Sequence, residues 1–114
     1  MMCPERRPSS SMEILERSTL TTLPRLYSQE YIDDPLIYMK LSSTDDSWNA
    51  YLAEGGEEGN EFVVFGLFIG ASKSWAQLSI SKLQRGISEA GLVVHLELLD
   101  QPERASVLTG FRRR

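Results

Sequence analysis

The stretch "EFVVFGLFIG", from Glu61 to Gly70, is apolar on both sides of an extended strand, because successive side chains of a strand point to opposite faces. One face would carry Phe62, Val64, Gly66 and Phe68, and the other Val63, Phe65, Leu67 and Ile69. This pattern predicts a central strand that is covered on both sides. The preceding "GGEEGN" (55–60) is rich in glycine and acid, and predicts a mobile loop, too long for a two-residue turn.

Alternation and strand-forming residues predict further strands around this central one. The predicted strands are Leu36–Leu41, Trp48–Glu54, Ser74–Leu78 and Leu92–Leu99. The last of these alternates clearly, with leucine and valine at 92, 94, 96 and 98 toward the core and His95 and Glu97 outward. The intervening "SSTDDS" predicts a turn, since short Ser and Asp side chains bond to their own backbone there.

Helical segments are fewer. A helix is predicted from Ser79 or Ser81 through Ala90, because serine caps helix N-termini and a glycine follows the segment. Leu83 and Ile87 lie four residues apart on its apolar side. Short helical pieces are also predicted in "LPRLYSQEYIDDP" (23–35) and from Pro102 onward.

Together these elements predict an α+β fold, with four to five mainly antiparallel strands, one packed helix and short terminal helices. The 114 residues suit a single domain. We expect residues 1–18 to form a disordered leader with one helical turn at 12–16, residues 19–111 to form the domain, and residues 112–114 to be a basic tail.

The charge is unevenly distributed along the chain. The net charge is −4 overall, but residues 19–111 alone carry −7. Nine acidic residues lie between Glu30 and Glu61, where Lys40 is the only base. Such a body repels phosphate backbones, so binding of nucleic acid through it is disfavoured. The arginines at 112–114 and at Arg6-Arg7 leave nucleic-acid binding through the termini as an alternative.

Few residues suggest catalysis or metal binding. The single cysteine, Cys3, excludes an internal disulfide and a multi-cysteine zinc site. His95 and Glu97 share a strand face, but one histidine and one carboxylate make only half of a zinc site. No serine lies in a nucleophile elbow and no phosphate-binding loop appears. We therefore expect no catalytic residue, no metal and no cofactor.

Tyrosine and tryptophan residues accompany the acidic region. These side chains are enriched where proteins meet partners, although they also occur at core edges with a polar atom reaching water. The predicted partner-binding residues are Tyr27, Tyr31, Asp33, Asp34, Asp45, Asp46, Trp48, Tyr51, Glu54, Glu57 and Glu58. They predict a surface that faces a protein partner with a basic surface.

The same region resembles a family of small bacterial proteins of plasmids, phages and other mobile elements, catalogued as a domain of unknown function (family twenty-nine fifty-eight). The matching positions are Leu23-Pro24, Leu26-Tyr27, Asp34-Pro35, Trp48, Tyr51, Glu54, Phe65-Gly66, Gly70, Ser79 and Leu83. The chain departs from the family pattern at Ala50, where a second aromatic is usual, and at His95-Leu96-Glu97, where the family tends to have Glu-Arg-Asp. The resemblance implies a compact α+β fold in a mobile-element setting and assigns no activity.

The leading hypothesis is a non-enzymatic accessory protein of a phage or plasmid, such as an inhibitor of a host defence or nucleic-acid enzyme. The alternative is a small-ligand or enzymatic domain that uses a cleft near Trp48, Tyr51 and Glu54. The chain shows no apolar run that could span a bilayer and no signal-peptide core, so we expect a cytoplasmic protein that does not bind membranes.

Overall fold

The computed structural model of the protein describes residues 17–111. The predictions of a helical turn at 12–16 and of a basic tail at 112–114 lie outside this range, as does most of the predicted leader. Within the range, no helix is both long enough and apolar enough to cross a membrane.

Residues 17–111 form one five-stranded antiparallel sheet with a helix packed on it. The strands are β1 (Leu36–Ser43), β2 (Asn49–Glu58), β3 (Glu61–Ile69), β4 (Lys73–Ser79) and β5 (Val94–Arg104). The helices are α1 (Arg17–Leu20), α2 (Ile80–Glu89) and α3 (Ala105–Thr109). The strand order is β4-β3-β2-β1-β5, so β4 and β5 are the edges. The predicted α+β class, with its antiparallel sheet, packed helix and short final helix, is confirmed.

The apolar strand β3 lies between β2 and β4 and is buried on both faces, as its sequence predicts. On one face Phe62, Val64 and Phe68 pack with Leu83 and Ile87 of α2. On the other face lies a smaller cluster. Its buried members are Ile37, Tyr51, Ala53, Phe65, Leu67 and Ala105. The helix α2 therefore covers one side of the sheet, and α3 contributes to covering the other.

The prediction of a mobile loop at 55–60 was wrong. The strand β2 continues through Gly55 and Gly56 to Glu58, and only Gly59 and Asn60 form the turn, because Glu58 pairs directly with Glu61. Gly59 has φ +63°, which suits glycine at the first central position of a two-residue hairpin turn. The glycines at 55 and 56 pack against Leu23 and Leu26 of the segment that precedes β1.

A bulge in β2 accompanies a close approach of the two backbones. The β2–β3 register shifts between Leu52 and Glu54. Opposite this shift, a Cβ atom on Gly66 would lie 2.2 Å from the carbonyl oxygen of Tyr51. Only glycine fits there, because a backbone atom cannot move away as a flexible side chain could.

The helix α2 matches its prediction closely. Ser79 is the N-cap, and its hydroxyl accepts a hydrogen bond from the backbone N–H of Lys82. Leu83 and Ile87 are the buried residues of the helix. Gly86 lies mid-helix and has no neighbour within 4 Å of the place that a Cβ would take.

The short final helix begins later than predicted, and the segment 23–35 differs from its helical prediction. Pro102 belongs to β5 and not to a helix, which begins only at Ala105. Proline is tolerated there because β5 is an edge strand and its pairing with β1 is interrupted between Ile37 and Met39. The segment 23–35 forms a series of turns, in which the N–H groups of Ser28, Glu30 and Ile32 each bond to the carbonyl three residues earlier. Leu98, predicted to face the core, is 56% exposed on the same edge strand.

Candidate functional site

Ten of the eleven predicted partner-binding residues lie at two opposite ends of the sheet, and Tyr51 lies between these ends, within β2. Asp45, Asp46 and Trp48 are at the turn between β1 and β2, where β2 begins. Seven others lie at or near the end where β2 finishes and β1 starts. These are Tyr27, Tyr31, Asp33, Asp34, Glu54, Glu57 and Glu58. Since β2 has 10 residues, the two ends are on the order of 30 Å apart.

Tyr27 is held in an unusual backbone conformation beside two glutamates. Its φ is +69°, a region that non-glycine residues seldom adopt. Its backbone N–H donates to Oε1 of Glu54 at 2.7 Å, and its phenol donates to Oε2 of Glu58 at 2.6 Å. The hydrogen bond to Glu58 raises the pKa of Tyr27, because the carboxylate favours the protonated phenol. The residue as a whole is 51% exposed.

Glu54 is a buried anchor and not a surface charge. It is 2% exposed, and its two carboxylate oxygens accept the backbone N–H groups of Tyr27 and Gln29, the latter at 2.8 Å. The Gln29 side chain in turn bonds to both backbone groups of Leu36 and to the carbonyl of Ala53. This arrangement fixes the turns at 24–32 against the part of β2 that extends beyond its pairing with β1.

We name the exposed group at this end the acidic tyrosine surface, and define it as Tyr27, Glu30, Tyr31 and Glu58. Tyr31 is 86% exposed. Glu30 also contributes to raising the pKa of Tyr27, which places its charge near the ring. Glu57 and Asp33 are exposed at the same end of the sheet. The surface therefore combines two accessible rings with several carboxylates.

Asp34, at this same end, has a structural role. One oxygen accepts the backbone N–H of Ser106 at 2.9 Å and the other accepts its hydroxyl at 2.5 Å. The carbonyl of Asp34 also accepts a hydrogen bond from Arg104. Because Arg104 itself makes no side-chain cap, Asp34 caps the first turn of α3 from a distant part of the chain.

At the other end of the sheet, Asp45 organises the β1–β2 turn. Its Oδ1 accepts hydrogen bonds from the N–H and hydroxyl of Ser47 and from the hydroxyl of Ser43. These bonds, led by the Ser47 N–H, lower the pKa of Asp45 from 3.8 to about 2. The next residue, Asp46, is exposed and takes a left-handed conformation with φ +62°. Both aspartates therefore contribute to the conformation of the turn, which explains why aspartate occurs at these two positions.

Trp48, Tyr51 and Glu54 do not line one cleft. Trp48 packs on the α2 side of the sheet, with its ring 6.4 Å from that of Phe68. Tyr51 is buried on the opposite side, with the Lys40 ammonium 5.5 Å from its ring centre. The Glu54 carboxylate is occupied by backbone N–H groups.

A different concavity, which was not predicted from the sequence, lies between α2 and the sheet. It has a volume of about 290 Å³, and its lining is formed by Trp48, Phe68, Leu78, Lys82, Leu83, Gly86, Ile87, Ala90 and Leu92. Lys82 is the one charged residue of this lining. In the sequence, Gly86 could have indicated this concavity, because glycine is unfavourable in a helix interior and its presence there calls for an explanation.

His95 and Glu97 are exposed on the edge strand β5, where they pair with Ser42 and Lys40. Within residues 17–111, no group of three or more histidine, cysteine, aspartate and glutamate side chains could hold a metal ion.

Comparison of the chain with protein-family models, with curated proteins and with solved structures gave no match. The resemblance to the mobile-element family described above stays a prediction.

Proposed function

We propose that this protein is a non-enzymatic binding protein that recognises a basic surface of a protein partner through the acidic tyrosine surface. The observation that carries the proposal is the fixed presentation of Tyr27, whose N–H and phenol donate to Glu54 and Glu58 while the residue stays about half exposed. A ring that is already immobilised loses little entropy when a partner covers it, which favours binding.

The neighbouring charges favour a cationic partner. Tyr31 is almost fully exposed and follows the turn that holds Tyr27 and Glu30, and tyrosine is among the residues that most often dominate binding energy at interfaces. Carboxylates at the rim of such a surface speed the encounter with a basic partner and select against acidic ones. In a mobile-element setting, such a surface would suit an inhibitor that occupies the basic groove of a host defence or nucleic-acid enzyme in the cytoplasm.

The test is capture of the partner by the tagged full chain from a lysate of its source cells, followed by affinity measurement with the purified partner. Tyr31→Ala should weaken binding about tenfold or more, because it removes an exposed ring that has no role in the core. Glu58→Gln should slow association while it keeps an acceptor for the Tyr27 phenol. Association should also slow as the salt concentration rises from about 0.05 to about 0.5 M.

Asp46→Asn is the matched control for Glu58→Gln. It also removes one negative charge, but at the opposite end of the sheet, and asparagine tolerates the left-handed conformation found there. Its affinity should stay within about twofold of the parent, since the two ends lie several Debye lengths apart. Equal affinities of the parent, Tyr31→Ala and Glu58→Gln for the captured partner would contradict the proposal.

A further inference from the structure

The two edge strands of the sheet differ in how well they are protected against pairing. The strand β5 contains Pro102, exposed carboxylates such as Asp100 and Glu103, and a register shift in its pairing with β1. These are features that prevent an edge from accepting another strand. The strand β4 has none of them, and pairs with β3 in one unbroken register over Lys73–Ser79. Within residues 17–111, β3 is the only strand that pairs with β4, so its outer edge can accept a further strand.

The edge begins with a basic residue. Lys73 is exposed, and its Nζ atom lies 3.3 Å from the centre of the Phe111 ring. The described part of the chain ends at Phe111, and the next three residues of the sequence are arginines. From Phe62 to Ser88 the sequence contains no acidic residue. The start of β4 is therefore the basic end of this edge.

The edge finishes at a group of carboxylates. Ser79, the last residue of β4, lines a concavity of about 330 Å³ together with Glu58, Glu61 and Lys82. The two glutamates are paired across the β2–β3 hairpin. One ammonium among two carboxylates leaves an excess of negative charge, so the edge has opposite charges at its two ends.

We propose that two copies of this chain associate through β4, which pairs antiparallel with itself about a two-fold axis at Ala76 and joins the two sheets into one. In this register Lys73 of each copy lies opposite Ser79 of the other, so each basic end meets an acidic end, twice in the dimer. A second β4 thus fits this edge in backbone pairing and in charge. The outer edges of the joined sheet are then both β5, whose proline and carboxylates stop further addition.

The contact between Lys73 and Glu61 is possible only between copies. Within one chain, Lys73 pairs with Ile69 at the opposite end of β3 from Glu61, about 26 Å away. Between copies, the proposed register places their Cα atoms about 12 Å apart, across two strand spacings and two residues along the strand. The lysine and glutamate side chains together can bridge this distance.

Sedimentation of the full-length protein tests the association. It should show a monomer–dimer equilibrium with a dissociation constant in the range of about 1–100 μM. Lys73→Glu and Glu61→Lys should each weaken the dimer about tenfold or more, because each change turns two attractive contacts into repulsive ones. The double variant Lys73→Glu/Glu61→Lys should restore the affinity to within about threefold of the parent, since it exchanges the charges and keeps the pairing.

Two controls separate this interface from other surfaces. Asp100→Lys reverses an exposed charge on β5 and should leave the dimer unchanged, as should Tyr31→Ala in the acidic tyrosine surface. Glu58 belongs to both the concavity and that surface, so the variants use Glu61. The dimer forms without any partner protein, so its failure and the failure of the proposed function are distinguishable.

NMR of a mixed sample of isotope-labelled and unlabelled protein locates the contact. Intermolecular signals should connect Ser74 with Leu78 and Trp75 with Gln77, the pairs on either side of Ala76. A protein that stays monomeric at about 500 μM would overturn the proposal. So would intermolecular signals from β5 in place of β4, or a folded double variant that associates no better than the two single variants.

Discussion

Glu54 shows how a residue that looks like part of an acidic run can belong to the interior. In the sequence Glu54 lies between Ala53 and two glycines, and nothing there distinguishes it from Glu57 and Glu58 as a candidate partner-binding residue. In the structure its carboxylate accepts the backbone N–H groups of Tyr27 and Gln29, as the carbonyl groups of a neighbouring strand would in a sheet. No local pattern reveals this, because the donors are 25 and 27 residues away along the chain.

We expect Glu54→Gln to lower the free energy of unfolding by about 1–3 kcal/mol, because one of the two N–H groups, buried in Gln29 and partly buried in Tyr27, would lose its acceptor. Chemical denaturation monitored by fluorescence measures this change. Glu97→Gln is the control, since that glutamate is exposed on the edge strand, and its effect should stay within about 0.5 kcal/mol. Equal stabilities of the two variants would show that Glu54 is not an anchor.

The lowered pKa of Asp45, also a property of a single residue, predicts how its contribution to stability depends on pH. Its folded pKa of about 2 lies below the ordinary 3.8, so the ionised carboxylate favours the folded state at neutral pH. That contribution decreases as the pH falls from about 4 toward about 2. Carbon-detected NMR titration should give Asp45 a pKa near 2 in the parent, and a higher pKa in Ser47→Ala, which lacks one donor. An unchanged pKa in Ser47→Ala would argue against these hydrogen bonds as the cause.

Among the elements, the strands were easier to predict than the helices. The alternation at Leu92–Leu99 and the two-faced apolar run at Glu61–Gly70 each predicted a strand that the structure contains as part of β5 and β3. The segment 55–60 was predicted wrongly, because glycine is unfavourable in strands unless another segment of the same chain packs closely against it. Here Leu23 and Leu26 do so against Gly55 and Gly56. Such a contact is formed only by the tertiary structure, so the local sequence does not reveal it.

The short helix α3 depends on a cap that comes from outside it. Asp34→Ala should lower the free energy of unfolding by about 0.5–2 kcal/mol, the usual effect of losing a helix cap. In hydrogen exchange, the backbone N–H of Ser106, which donates to Asp34, should be among the amides that lose most protection. Asp100→Asn, an exposed aspartate in β5, is the control and should change neither quantity. If Ser106 keeps its protection in Asp34→Ala, the cap is not needed.

At the scale of the molecule, the sequence predicted the class of fold but not the arrangement of charge. The acidic region from Glu30 to Glu61 crosses the sheet twice, through β1 and β2. Its middle part, with Asp45 and Asp46, therefore lies at the opposite end from its two outer parts. What looks like one acidic segment in the sequence becomes two separate groups, and only one of them has exposed tyrosines beside it.

The close approach at Gly66 has a consequence for changes in chain length. Slippage of the β2–β3 hairpin by one residue would place Phe65 or Leu67 where a Cβ lies 2.2 Å from a carbonyl oxygen. Only one alignment of the two strands is therefore sterically allowed, whatever the length of the connection at Gly59 and Asn60. Residues inserted at that connection would loop outward into solvent and leave the alignment intact.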